Sequence, residues 1–139
     1  MTPHEIIDAA RYMVLATADE EGVPWASPVW FAPDGYTRFL WVSRETTRHS
    51  SNLAVRPELS IVIFDSSVPI GTGEGVYMDA IAEQVGEPEE AIGIFSRRSV
   101  AHGGHEWTAA DVTPPAELRL YMATATEQWL GRRDRRQAL

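Results

Sequence analysis

The sequence contains no cysteine, no lysine and no long apolar run. Without cysteine there are no disulfide bonds, thiolate nucleophiles or Cys-ligated metals. No segment has the roughly 20 apolar residues that a membrane helix needs, and the first residues lack a signal-peptide pattern, so we expect a cytoplasmic protein. All 12 basic residues are arginine and the net charge is −8. So acidic a chain lacks the basic face that nucleic-acid binding requires.

The chain has the size and composition of one domain, residues 1–139. Its apolar fraction of 44% and charged fraction of 23% are typical of a globular protein. A domain of this length buries enough surface to fold alone, whereas a second domain would lack a core.

Alternation of apolar residues between turn signals predicts six strands. They cover residues 13–18, 23–32, 36–43, 59–65, 76–85 and 117–130. The nearly continuous apolar run 59–65 indicates a strand buried on both faces. Six hairpin-linked strands with few helices predict a mainly β fold, a six-stranded antiparallel barrel that is closed or partly closed.

Three short helices are expected around these strands. Thr2 and Pro3 form an N-cap and first-turn pair for a helix over 3–12. Thr47 caps a second helix that ends near Arg56, because Pro57 follows. Pro88 begins a third helix, and residues 132–139 read as a frayed tail.

Hydroxyl and basic side chains are concentrated where the third strand turns into the second helix. The segment 43–51 holds five hydroxyls, two arginines and one histidine. A helix N-terminus offers free backbone N–H groups and the positive end of its dipole, which suits an anion. Thr47 and Arg48 add donors for phosphate oxygens.

The order of these motifs resembles the pyridoxamine-phosphate-oxidase-like family. The resemblance rests on G-x-P-x-x-S-P-V-W-F (22–31), D-G (34–35), F-L-W-V-S (39–43), T-R-H-x-x-N-L (47–53) and R-P-E-L-S-I-V-I-F-D (56–65). The resemblance implies a homodimeric split β-barrel of the FMN-binding type, with a cofactor site at each subunit interface. The cofactor contacts that it implies are Ser27, Pro28, Val29, Trp30, Val42, Ser43, Thr47, Arg48, His49 and Trp129.

Two of these positions have particular consequences. His49 stands where the family commonly has lysine in its phosphate clamp, so phosphate binding is expected to be weaker or to depend on pH. Trp129 matches a region through which the partner subunit closes the flavin site, although interface packing explains it equally well.

The resemblance implies an FMN-binding oxidoreductase that transfers hydride to or from a small molecule. No side chain need act as an acid or base, so no catalytic residue is named. Coenzyme F420 is the alternative cofactor, and Arg44, Arg56 or the arginines of 132–136 could bind its charged tail. The other alternative is a dimer that sequesters a flavin without turnover. No pattern for a haem axial ligand stands out.

One polar loop admits several interpretations. His102 and His105 have the spacing His-x-x-His, but no further paired ligand lies nearby, so we expect no metal site. A solvated loop is the simplest interpretation, and a substrate-facing position at the barrel mouth is the other. Trp107 of the same loop could anchor it or cover the flavin ring.

Overall fold

The computed structural model describes residues 1–132 and 135–139, which form a single curled antiparallel sheet with helices at its ends. The strands are β1 (Tyr12–Ala18), β2 (Pro24–Trp30), β3 (Ala32–Asp34), β4 (Arg38–Arg44), β5 (Glu58–Phe64), β6 (Glu74–Gln84), β7 (Leu118–Arg132) and β8 (Arg135–Ala138). The helices are α1 (Pro3–Ala9), α2 (Arg48–Val55) and α3 (Glu89–Ala101), with a 3-10 turn at Ala109–Val112. In this part of the chain no helix is long and apolar enough to cross a membrane.

The connection from β2 to β3 explains why the sheet curls into a barrel. The strand order is β2-β1-β5-β6-β7-β4-β3, so β2 and β3 are at opposite edges. Only Phe31 separates them along the chain. One residue spans about 3.5 Å, so the two edges must meet at that point. Among the described strands β2 and β4 do not pair with each other, and we call the gap in pairing between them the split of the barrel. The predicted mainly β split barrel is confirmed.

The strand count differs from the predicted six at two places. The predicted strand 23–32 breaks at Phe31 into β2 and β3. The predicted frayed tail is wrong for Arg135–Ala138, which forms β8 on β7, while 133–134 lie outside the described residues. β4 covers β7 only from Leu118 to Thr124, so the later half of that edge is open for another strand.

The strand β5 is buried on one face only, which corrects the prediction for 59–65. Leu59, Ile61 and Ile63 are buried, whereas Phe64 is 47% exposed. An antiparallel barrel has a single core, so only alternate residues of each strand face it. The apolar residue Phe64 thus lies on the outer face, away from the core.

The helix α1 closes one end of the barrel and is held there by α3. Ile6 and Ile7 are buried in the core, and Thr2 caps the helix by accepting from the Glu5 N–H. At the other end of α1, the Arg98 guanidinium donates to the carbonyl oxygens of Ile7, Asp8 and Ala10, the last at 2.9 Å. Arg98 thus satisfies carbonyls that the end of a helix leaves without partners.

Candidate functional site

A cavity of about 570 Å³ occupies the split of the barrel. Its volume lies within the range of about 300–1,000 Å³ that is usual for ligand pockets. The walls come from β2, β4, the start of α2, and α3 with the loop that follows it. Fifteen residues line it: Arg11, Tyr12, Pro28, Val29, Trp30, Val42, Ser43, His49, Phe95, Ser99, His102, Gly104, His105, Trp107 and Leu118.

Six of the ten predicted cofactor contacts meet at this cavity. Pro28, Val29 and Trp30 come from β2, and Val42, Ser43 and His49 come from β4 and α2. The two groups are more than ten residues apart along the chain, and only the closure of the barrel brings them together.

His49 and Ser43 form the polar end of the cavity. His49 Nε2 and Ser43 Oγ share a hydrogen bond of 2.9 Å, and both residues are buried. Burial lowers the pKa of His49 below its usual value, since the charged imidazole would lose its hydration. Without a ligand, His49 is therefore neutral at pH 7, in contrast to a lysine at that position.

Thr47 and Arg48 do not line the cavity in the single chain. Thr47 is the N-cap of α2, as predicted, and its hydroxyl accepts from the Ser50 N–H at 3.2 Å. The exposed Arg48 places its guanidinium carbon 4.3 Å from the ring centre of Trp25. Thr47 is thus engaged with Ser50 and Arg48 with Trp25, and of the three residues His49 alone lines the cavity. Their phosphate contacts stay a prediction.

Ser27 and Trp129 also lie away from the cavity lining. Ser27 pairs with Leu15 within the sheet. Trp129 is opposite Tyr77, whose side chain is 42% exposed on the outer face of the barrel. Within one chain Trp129 does not reach the cavity, and its predicted role requires a partner subunit.

The wall formed by α3 and its following loop carries residues that the sequence did not assign to the cofactor. Phe95 and Ser99 belong to α3, and His102, His105 and Trp107 follow its last turn. The loop is exposed at residues 103–106, as a solvated loop would be, and it also forms one wall of the cavity. Its signal in the sequence was the unusual density of histidine and tryptophan over 102–107.

Neither histidine of this loop belongs to a metal cluster. Among the described residues, no group of three or more His, Cys, Asp or Glu side chains is arranged to hold a metal ion. The pKa of His102 is lowered by burial and then by the charges of Arg98 and Arg11. The His102 imidazole is thus neutral at pH 7.

A model of the pyridoxamine 5'-phosphate oxidase family matches residues 4–131, nearly the whole chain. The chain belongs to this family. A comparison with curated proteins gave no match.

Solved structures with the same fold belong to proteins with different described roles. The haem storage protein HutZ from Vibrio cholerae is 21% identical with a TM-score of 0.70, over 92% of this chain and 89% of that chain. A putative 5-nitroimidazole antibiotic resistance protein from Bacteroides thetaiotaomicron is 14% identical with a TM-score of 0.73, over 91% and 80%. A protein described as F420 reductase is 18% identical with a TM-score of 0.66, over 94% and 96%. At these identities the likeness shows the fold alone.

Proposed function

We propose that this chain binds FMN in the split of the barrel and is an oxidoreductase acting on a small molecule. The observation that carries the proposal is the meeting of Pro28–Trp30 with Val42, Ser43 and His49 around one cavity. Bound FMN would supply the hydride chemistry, carrying two electrons from a reductant such as a nicotinamide dinucleotide to an acceptor.

The chemistry of the cavity fits a flavin. Pro28, Val29 and Trp30 offer an apolar wall of the kind that a flat ring system needs. Ser43 and His49 offer hydroxyl and imidazole donors at the end next to the α2 N-terminus, where a phosphate gains most from the helix dipole. The protein's part would be to hold the ring, to fix the phosphate and to exclude water from the buried side.

The test is the absorbance spectrum of the freshly purified protein, with mass analysis of any small molecule that acid releases. We expect a flavin spectrum and FMN, or stoichiometric uptake of FMN by colourless protein. The variant Ser43→Ala should bind FMN about fivefold more weakly, which is the value of one hydrogen bond. Ser51→Ala, a serine exposed on α2 and outside the cavity, is the matched control. Protein that binds no FMN would refute the proposal.

Coenzyme F420 is the alternative cofactor on the same site. Two of the arginines that could hold its charged tail are engaged: Arg44 pairs with Glu117 at 3.0 Å, and Arg56 donates to the Asp19 and Glu20 carbonyls. The side chains of the arginines in 132–136 lie outside those that the structure describes. The existing contacts of Arg44 and Arg56 favour FMN, and a released deazaflavin would reverse that choice.

Haem binding is a second candidate function. It is supported by His102 and His105, because imidazole is a common axial ligand of haem iron and both side chains line the cavity. The same purification distinguishes it, since haem gives an intense Soret band and flavin does not. Flavin retained without reduction by NAD(P)H or reduced F420 would instead support the sequestering, non-catalytic function.

We further propose that the chain forms a homodimer through the outer face of β5, β6 and β7. Val62, Tyr77 and Trp129 are directly opposite one another across these strands, and Phe64 extends the apolar row. The Tyr77 ring packs against Gly75 and Gly131, and a Cβ on Gly131 would collide with it. Phe64 and Tyr77 are 47% and 42% exposed, which an interface would cover.

Light scattering should show a dimer that Phe64→Asp converts to monomer by burying a charge at the interface. Val55→Asp places the same charge on an equally apolar exposed site of α2 and should leave the dimer intact. A wild-type monomer at micromolar concentration, or a dimeric Phe64→Asp variant, would contradict this interface.

A further inference from the structure

The loop after α3 is a fixed wall of the cavity. The Trp107 N–H donates to Ser96 Oγ at 2.8 Å, and Ser99 Oγ donates to the His105 carbonyl at 2.9 Å. The Gly104 N–H donates to the Ser99 carbonyl at 2.7 Å. A Cβ on Gly104 would lie 2.5 Å from Ser99 Oγ and 3.2 Å from the Ser99 carbonyl oxygen, so any larger residue there would require the loop or Ser99 to move. Two serines one helical turn apart thus hold the loop in one conformation.

The fixed loop completes a continuous set of aromatic rings, which we call the aromatic wall: Trp30, Phe95, His102, His105 and Trp107. Phe95 meets Trp30 edge to face at 5.0 Å between ring centres and Trp107 at 5.5 Å. His102 meets Trp30 at 5.6 Å, and His105 meets Trp107 at 4.3 Å. Rings that already pack at these angles present fixed edges and faces to a ligand, with little entropy left to lose on binding.

Two polar groups accompany the aromatic wall. His102 lines the cavity, and because its Nδ1 is buried without a hydrogen-bond partner among the residues described, the other ring nitrogen, Nε2, is the one left to meet a ligand. Arg11 is exposed and lines the same cavity. A guanidinium favours an accepting or anionic substituent on the ligand.

The aromatic wall is separate from the residues to which the flavin is assigned, apart from Trp30. The flavin contacts are on β2, β4 and α2, whereas four of the five rings are on α3 and its loop. A second molecule bound there would lie next to the flavin, in the place of a substrate.

We propose that the aromatic wall is the substrate-recognition surface and selects a flat aromatic molecule with one accepting substituent, such as a carboxylate or nitro group. The interpretation of the aromatic wall as a substrate site rests on the proposed function, because a substrate must lie beside a bound flavin. Trp107 and His102 are then specificity-determining residues: Trp107 contacts the ring and His102 hydrogen-bonds its substituent.

The test measures the binding of 4-nitrobenzoate by calorimetry, in protein with and without FMN. Cyclohexanecarboxylate, which has the same charge but no aromatic ring, is the matched probe. We expect 4-nitrobenzoate to bind about tenfold more tightly than this probe, and Trp107→Leu to remove the difference. Trp25→Leu, outside the cavity, should leave 4-nitrobenzoate binding within twofold.

A second variant, His102→Asn, tests the same surface in case Trp107→Leu disturbs the loop. It keeps a polar side chain at position 102 and leaves both serine contacts in place. His102→Asn should lower the affinity for 4-nitrobenzoate about fivefold and leave the affinity for FMN within twofold of wild type. Failure of the aromatic probe to bind better than the saturated one, or its competition with FMN, overturns the inference. If FMN fails to bind but Trp107-dependent probe binding persists, the inference stands and the proposed function falls.

Discussion

The variant Arg98→Met is expected to lose about 2.5 kcal/mol of unfolding free energy and to melt about 8 °C lower. Arg98 is the link between α3 and the C-terminal end of α1, and three backbone carbonyls accept from its guanidinium. These carbonyls carry the negative end of the α1 dipole, so a cation there is favoured twice. Methionine keeps much of the apolar stem but leaves the carbonyls without a charged donor.

The adjacent residue offers a matched control for this effect. Arg97 is exposed on the same helix, so Arg97→Met should change the free energy of unfolding by less than about 0.5 kcal/mol. Both variants are compared by thermal unfolding at one protein concentration, because a dimer's melting temperature depends on it. A melting temperature of Arg98→Met within about 2 °C of the control would show that water satisfies the carbonyls at the end of α1 as well as Arg98 does.

Much of the fold could be predicted because it depends on local patterns. Alternating apolar residues marked the strands, and Gly22, in the turn between the first two, has a positive φ of +86°, which glycine adopts without steric cost. Thr47 is the predicted N-cap because its side chain acts within one turn of the helix. Each of these features is decided by residues within a few positions.

The features that the sequence did not show depend on contacts between distant segments. Trp30 and His102 are in contact in one wall of the cavity although about 70 residues separate them, and no local pattern indicates that contact. The guanidinium of Arg48, on α2, lies over the ring of Trp25, on β2. β8 exists because β7 is longer than its partner β4, a length mismatch that appears only once the sheet is assembled. Cavity walls and sheet edges are thus where sequence reasoning is weakest.

The second prediction concerns His49, the position where the family commonly has lysine. His49→Lys is expected to bind FMN about tenfold more tightly at pH 8, because lysine brings a positive charge to the phosphate and neutral imidazole does not. His49→Leu should bind more weakly than wild type. Riboflavin, which has no phosphate, should bind all three proteins alike. An equal gain for riboflavin would mean that His49 does not face the phosphate.

The pH dependence of FMN binding distinguishes wild-type His49 from the His49→Lys variant. Burial lowers the pKa of His49 in the free protein, and a phosphate anion beside it would raise that pKa. Binding then takes up a proton, so wild-type affinity should rise as the pH falls from 8 to about 6. The ordinary pKa of lysine, about 10.4, keeps it charged throughout this window. The affinity of His49→Lys divided by that of wild type should therefore fall as the pH falls from 8 to 6, and the titration of FMN itself cancels in that ratio. A ratio that is constant from pH 8 to 6 would show that His49 stays neutral beside the phosphate and contributes only a hydrogen bond.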